Sequence, residues 1–342
     1  MILKRTPSMN GGIFMKVAIL GAGSIARSMC RTIRGMKEAG RPVELYAVAS
    51  RDIDKAIRFA REQGVKRAYG SYEELLQDPA VELVYIATPH SHHAEHMKLC
   101  IEHGKPILCE KSFTANAKQA EEVLALAKEK GVYVAEAIWT RYMPARQIIN
   151  DLIAQDAIGE TYLLTSNLCY TIEQVERIYR PELAGGALLD VGVYPLNFAS
   201  MVFGDDIASL ESHVEMLPTG VDRTENITIR YGSGKVAMLM SSAAFDSDRR
   251  CVIYGTKGWI TVDNVNNPAV IEVFDKRDRQ HPAQHIDVPE QITGYEYEVE
   301  ACMRDIPLGR LEPEEMPHAE VLEIMRQMDA LRAQWGMKYP FE

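Results

Sequence analysis

Between Lys16 and Met29 the chain reads KVAILGAGSIARSM, and no other stretch restricts the fold as much. Val17-Ala18-Ile19-Leu20 has the length and composition of a buried parallel strand. It stops at Gly21-Ala22-Gly23 and passes directly into a helical pattern through Ser24, Ile25 and Ala26, the G-x-G-x-x-A form of a dinucleotide turn. Gly21 allows the tight turn, and Gly23 keeps side chains from coming between the backbone and a pyrophosphate. Ala26 lets the helix pack closely on the strand. The first amides of that helix, at Ser24 and Ile25, then face the phosphates.

A second strand over 42–49 ends in Ser50-Arg51-Asp52. NAD-binding folds usually carry an acid at that strand end, roughly 20 residues past the glycines, to hold the ribose hydroxyls. A hydroxyl at Ser50 and a guanidinium at Arg51 suit a 2′-phosphate instead, because arginine brings charge and paired donors. This favours NADP(H). Asp52 keeps NAD(H) open, and a solvated loop arginine is the plainer alternative for Arg51.

Helix 53–63, a short strand near 68–69 and a helix opened by a Ser71/Glu74 capping box follow. Next come strand 83–87 ending in Thr88-Pro89-His90, helix 92–103, and strand 106–109 leading into Glu110-Lys111-Ser112. Helix 116–130 and strand 132–138 complete the alternation. Units of this kind predict an α/β architecture, a doubly wound Rossmann-type parallel sheet over 16–139. Ligands bind beyond the carboxyl ends of such strands, so the segments after Leu20, Ala49, Ala87 and Cys109 converge on one crevice. Residues 1–15 read as a loose leader.

Beyond Thr140 the rhythm changes. A helix at 144–155 and a strand at 160–170 precede the Gly185-Gly186 break and a helix at 187–203. Alternating runs at 207–217, 224–231, 235–243, 250–255, 258–263 and 269–274 are followed by helices at 294–305 and 314–335. Hairpin-spaced strands predict an α+β domain over 140–342, built on a large, mostly antiparallel open sheet.

Asp190 and Tyr194 stand at i and i+4 after the double glycine, on one helical face. A core helix whose acid and phenol satisfy each other is the plain alternative. Glu110 and Lys111 sit at a strand's carboxyl end, where a nicotinamide would lie. A lysine beside a phenol favours the phenolate, so Lys111 and Tyr194 are expected to form an acid–base pair. Among His90, His92, His93 and His96, the i,i+4 pair His92/His96 has metal-binding spacing, but HSHHAEH lacks the H-E-x-x-H order. No metal is expected, and His90 or His92 is placed near nicotinamide or substrate. Tyr170, Arg177, Tyr179 and Arg180 are polar enough to read substrate hydroxyls, or are surface loop residues.

Composition narrows the class. The chain has 342 residues, 46% hydrophobic and 25% charged, with a net charge of −10 and no basic run, which argues against nucleic acid. No uncharged apolar run approaches the ~18 residues of a membrane span, and 1–15 has no sustained apolar core of a secretory signal. Six cysteines without a C-x-x-C pair suit reduced thiols and a cytoplasmic location, not a disulfide framework.

The chain resembles the Gfo/Idh/MocA oxidoreductases from Met15 onward, through GAGSIA (21–26), ATPHSHH (87–93), CEKS (109–112), EAIWTRYMP (136–144) and GGALLDVGVYPL (185–196). The last two motifs look most like the branch of the dimeric dihydrodiol and NADP-dependent xylose dehydrogenases. The resemblance implies that Lys111 holds the nicotinamide ribose and the substrate hydroxyl, Asp190 orients the substrate and Tyr194 is the general acid/base. It also puts Trp139 and Arg141 near the cofactor, alongside Gly21, Gly23, Ser24, Ile25, Ser50, Arg51, Thr88, Pro89 and Glu110. The usual Glu-Lys-Pro of the family is Glu-Lys-Ser here, and Ser112 is expected to loosen the backbone around Lys111.

The expected activity is NADP-dependent hydride transfer at a secondary alcohol or carbonyl carbon of a sugar or cyclic diol. His92, Tyr170, Tyr179 and Arg180 are candidate substrate contacts. An NAD-dependent inositol or sugar dehydrogenase and a non-catalytic NAD(P)-binding regulator are the alternatives. Ile227, Ile229, Met238, Met240, Val252 and Ile253 include neighbours of opposite parity, so both faces of the second sheet carry apolar side chains. A homodimer or dimer of dimers through that sheet is expected.

Overall fold

The computed structural model describes residues 14–342. Of the leader expected over 1–15, residues 1–13 lie outside the described residues, and Met15 already opens the first strand. Strands β1 (Met15–Leu20), β2 (Val43–Ala49), β3 (Arg67–Tyr69), β4 (Leu83–Ile86), β5 (Ile107–Glu110) and β6 (Val134–Ala137) form one sheet in the order β3-β2-β1-β4-β5-β6. Every pair is parallel. The order reverses between β1 and β4, which puts the binding crevice beyond their carboxyl ends.

Helices α1 (Ser24–Glu38), α2 (Ile53–Gln63), α3 (Tyr72–Leu76), α4 (His90–Glu102) and α5 (Ala117–Lys130) connect the strands. β4, β5 and β6 are buried at every residue, as strands covered on both faces must be. α1 turns Ala26, Met29, Cys30, Ile33 and Met36 inward at helical spacing. α4 begins at His90 rather than at residue 92, because Pro89, with its extended backbone, ends the preceding loop.

The second domain opens with α6 (Pro144–Ala154), β7 (Thr161–Cys169), α7 (Glu176–Tyr179) and α8 (Val193–Phe203). It continues through β8 (Ile207–Met216), β9 (Asp222–Tyr231), β10 (Val236–Ser242), β11 (Cys251–Gly255), β12 (Gly258–Val262), β13 (Val270–Asp275) and β14 (Gln284–Asp287), and ends with α9 (Glu296–Asp305) and α10 (His318–Gln334). The sheet order is β14-β13-β12-β11-β7-β10-β9-β8. β7 and β10 are parallel and the other neighbours antiparallel. β14 was not foreseen: Gln-His-Ile-Asp has no strand signal of its own, and its pairing along β13 makes it an edge strand.

One face of this sheet is covered and, among the described residues, the other is open. Ile227, Ile229, Leu239, Ile253 and Ile260 are buried on the side where α8 lies on β7 and β10. On the opposite side Val236, Leu163, Tyr254, Trp259 and Phe274 align across five strands through their register. Met238 is 51% exposed there and Tyr254 39%. The segment Pro181–Phe203 is long and apolar enough to cross a bilayer by length and composition, though it carries Glu182 and Asp190. It is a core element here, with 83% of its most apolar window buried.

Candidate active site

The first glycine turn is bare. Gly21 has φ +100°, and a Cβ there would come 2.8 Å from the Ala87 carbonyl oxygen, so only glycine fits against β4. Among the described residues a Cβ at Gly23 would meet nothing within 4 Å, and no side chain caps the amides that open α1. Those unsatisfied amides, with the positive end of the helix dipole, fit a pyrophosphate.

At the end of β2, Ser50 is buried and Arg51 exposed, and among the described residues Arg51 makes no ion pair. The Asp52 carboxylate accepts the amides of Asp54 (2.9 Å) and Lys55 (3.1 Å) and is committed to capping α2. A cavity of about 380 Å³ opens beside Arg51, lined by Tyr72, His92 and His96 among others. The His92 and His96 rings stack 5.6 Å apart, and Tyr72 meets His96 edge-on at 4.7 Å. His92 is therefore grouped with Arg51 and not with Asp190 and Tyr194. Burial holds His96 down at about 4, so it is neutral.

Beyond β5 the expected trio is brought together. Lys111 Nζ donates to the Asp190 carbonyl oxygen at 2.5 Å and lies 3.4 Å from Asp190 Oδ1. It also sits 5.1 Å from the centre of the Tyr194 ring. Arg177 Nη2 donates to Asp190 Oδ2 at 3.0 Å. Burial alone would raise the Asp190 carboxyl, but the Lys111 and Arg177 cations more than offset it and hold it at about 2. Asp190 is a fixed negative charge.

Asp190 does not lie on a regular α-helix. Leu188–Gly192 form a π-helical turn that runs into α8, where Tyr194 sits in the first turn. Such turns are uncommon and recur at functional sites.

Tyr194 departs from expectation. Burial pushes its phenol well above the ordinary value, and Tyr295, Glu110, Asp190 and Glu298 push the same way. The Lys111 ammonium points at Asp190, so it does not produce the phenolate expected of the pair. Glu110 accepts a hydrogen bond from the Tyr85 hydroxyl, and burial raises its carboxyl to about 7 despite that bond and the neighbouring Lys111.

Ser112 does not loosen the loop. It is fully buried, and its hydroxyl donates to the Leu189 carbonyl at 2.7 Å, tying the lysine segment to the π turn. The Lys111–Ser112 peptide is cis. His90 has its ring nitrogens 3.2 Å from the Ala184 carbonyl oxygen and 3.1 Å from that of Lys111, and His93 has its own 2.9 Å from that of Ser112 and 2.8 Å from that of Thr88, so each neutral ring donates to one of its two carbonyls. Thr88 and Pro89 thus sit at a braced rim, with Thr88 Oγ1 3.0 Å from His96 Nδ1.

The remaining candidates scatter. Trp139 stacks on Tyr295 at 4.3 Å, and its buried Nε1 has no partner among the described residues. Arg141 is 1% exposed and bonded to Asn197 (2.8 Å), Ser200 (3.1 Å) and Glu320, which ties the short 3-10 turn Trp139–Arg141 to α8 and α10. Tyr170 lies under Arg249 and donates to Asn266. Tyr179 is exposed, and Arg180 pairs with Glu176 and Glu182 at the surface. Arg177, not Arg180, reaches Asp190. Among the described residues no cluster of three or more His, Cys, Asp or Glu could hold a metal.

A bare dinucleotide turn after β1, with a lysine after β5 beside a carboxylate and a phenol, fits an NAD(P)-dependent oxidoreductase. Residues 15–137 match the oxidoreductase family with an NAD-binding Rossmann fold, and residues 147–261 match the GFO/IDH/MocA C-terminal domain. The trans-1,2-dihydrobenzene-1,2-diol dehydrogenase of Xenopus tropicalis is 32% identical over 330 residues, covering 95% of this chain and 99% of that protein. The enzyme of the same name from Danio rerio is 31% identical over 329 residues, covering 95% and 98%. The chain belongs to the Gfo/Idh/MocA oxidoreductase family. Among solved structures, the 3-ketoreductase KijD10 of Actinomadura kijaniata, in complex with NADP and TDP-benzene, superposes with a TM-score of 0.83 at 25% identity, covering 94% of this chain and 97% of that one. A levoglucosan dehydrogenase complexed with NADH and levoglucosan shares the fold, with a TM-score of 0.84 at 18% identity over 94% and 97%.

Proposed function

We propose that this oxidoreductase uses NADP(H) and moves a hydride at the carbon of a secondary alcohol or its ketone, on a sugar or cyclic diol. The observation that carries the reading is the convergence of Lys111, Asp190 and Tyr194 on one point at the carboxyl end of β5. When bound, the nicotinamide supplies or accepts the hydride. The phenol of Tyr194 is held protonated by burial, which suits a general acid that gives its proton to a carbonyl oxygen. In the reverse direction the Tyr194 oxygen, once deprotonated, receives the substrate hydroxyl proton, so oxidation is expected to quicken as pH rises and the raised phenol ionises. Lys111 and the fixed charge of Asp190 orient the reacting hydroxyl.

NADP is favoured by the unpaired Arg51 and by the commitment of Asp52 to the α2 cap. The diol dehydrogenases and the NADP complex of KijD10 support the substrate class and the cofactor by analogy. The open face of the second sheet supports assembly as a homodimer or dimer of dimers. Six buried free thiols suit a cytoplasmic location.

The test is a screen of trans-diols, pentoses, hexoses and inositols for NADPH formation, run beside NAD. Turnover with NADP on at least one diol or sugar is expected. A preference for NAD, or no turnover with any of them, would overturn the reading.

A further inference from the structure

Beneath the turn that carries Asp190, strand β9 sends up two carboxyls that the chemistry does not use. Asp222 and Glu225 are both fully buried. Asp222 Oδ2 accepts the Leu188 amide at 2.5 Å, at the start of the π turn. Glu225 Oε1 accepts the Ser241 hydroxyl at 2.5 Å and lies under the turn's other end. A Cβ at Gly186 would run into Asp222 Oδ1, and one at Gly192 would come 2.7 Å from Glu225 Oε1. The glycines flanking Asp190 thus leave room for two carboxyls. Each acid keeps one buried oxygen, Asp222 Oδ1 and Glu225 Oε2, with no partner among the described residues. The charge of Asp222 opposes a second charge on Glu225, and one proton held by the pair relieves this.

We propose that Asp222 is a positioning residue for the hydride transfer: the neighbouring Glu225 carries the pair's proton, so that Asp222 stays ionised and anchors the turn that presents Asp190 and Tyr194. This rests on the function proposed above for its kinetic consequence, but not for its structural one. Burial raises both carboxyls. Asp222 is drawn back to about 6 by the amides of Leu188, Ala187 and its own residue and by Arg332. Glu225 is raised well above the ordinary value by burial and by the Asp222 charge, with only Ser241 opposing. The other groups facing the pair are Cys169 on β7 and Tyr339, which itself faces Arg332, Asp329 and Glu342. Tyr339 also donates to the Gly185 carbonyl at 2.8 Å, so the C-terminal segment grips the same turn.

Amide exchange at residues 188–192 tests the structural claim on the full chain without substrate. In the wild type, intrinsic-rate-corrected exchange should quicken about tenfold as pH falls from 8 to 5. Asp222→Asn should exchange fast at both pH values, and Glu225→Gln should behave as the wild type. In turnover, the wild type and Glu225→Gln should share an acid limb near pH 6. Asp222→Asn should lose that limb, with kcat about tenfold lower and NADPH affinity unchanged. An Asp222→Asn protein with wild-type protection and the same acid limb would overturn the proposal, as would loss of the limb in Glu225→Gln. If Asp222→Asn does not fold, a wild type whose protection at 188–192 is independent of pH overturns it. If no substrate is turned over, the proposed function fails, and the exchange data still decide this assignment.

Discussion

The molecule has two glycine-rich turns, at 21–23 and 185–192, and they use glycine for opposite ends. At Gly23 the missing side chain leaves open space and free amides, room for something that is not protein. At Gly186 and Gly192 the missing side chains are replaced by the protein's own carboxyls, Asp222 and Glu225. One turn is shaped to receive and the other is braced to hold a carboxylate and a phenol in place. A glycine pattern alone does not say which kind of turn it marks. What lies above it does.

Substituting the glycines separates the two cases most sharply. Gly186→Ala forces a residue with φ +113° to carry a side chain into Asp222, and should cost about 3 kcal/mol of stability. Gly23→Val should change stability by less than about 0.5 kcal/mol, since nothing surrounds the position, yet sharply weaken dinucleotide binding. Chemical denaturation and cofactor titration of both variants check this pair.

A smaller effect contrasts the two acids beside Lys111. Glu110 is raised to about 7 from an ordinary 4.5, so its charged form is disfavoured in the fold. The folded protein therefore loses stability as pH rises from 4.5 towards 7, and above that the loss is constant. Glu110→Gln, which keeps an acceptor for Tyr85, should stabilise the protein by about 2 kcal/mol at pH 8 and by almost nothing at pH 4.5. Denaturation at the two pH values reads the difference. Asp190 behaves in the opposite sense: its carboxyl is lowered to about 2, so its contribution is full at neutral pH and fades only as pH falls below the usual 3.8.

The least of the expected effects lies at the receiving turn's far side. Arg51→Ala should weaken NADP(H) about tenfold and leave NAD(H) unchanged, the size of a lost charge-assisted bond. Fluorescence titration of both cofactors measures it, with Trp139 as reporter. An unchanged NADP preference would remove Arg51 from the cofactor site.

The first turn was legible because its signal is local: strand, glycines and helix are contiguous, and their spacing carries the physics. The alternation that follows made the parallel sheet legible for the same reason. Lys111, Asp190 and Tyr194 were legible as residue types at strand and helix ends. What they do to one another was not. Lys111 was expected to lower the Tyr194 phenol, yet it binds Asp190, and the acids Glu110 and Glu298 arrive from elements far apart in sequence. In the sequence Ser112 reads as a loss of rigidity, whereas in the fold its hydroxyl binds the Leu189 carbonyl. Long side chains were least legible of all: Arg141 is bonded to Asn197 and Glu320, Arg180 turns to the surface, and Arg177 takes the place by Asp190. Asp222 and Glu225 did leave one trace in the sequence, one acid just ahead of the strand run at 224–231 and one inside it.

The central claim is that Tyr194 moves the proton while the bare turn holds the cofactor. Tyr194→Phe removes one oxygen and leaves the ring, so turnover and NADP(H) affinity measured on the same preparation test it most directly. Turnover should fall at least ~100-fold, the range of general acid–base catalysis, with affinity unchanged. Turnover close to wild type in that variant would contradict the account.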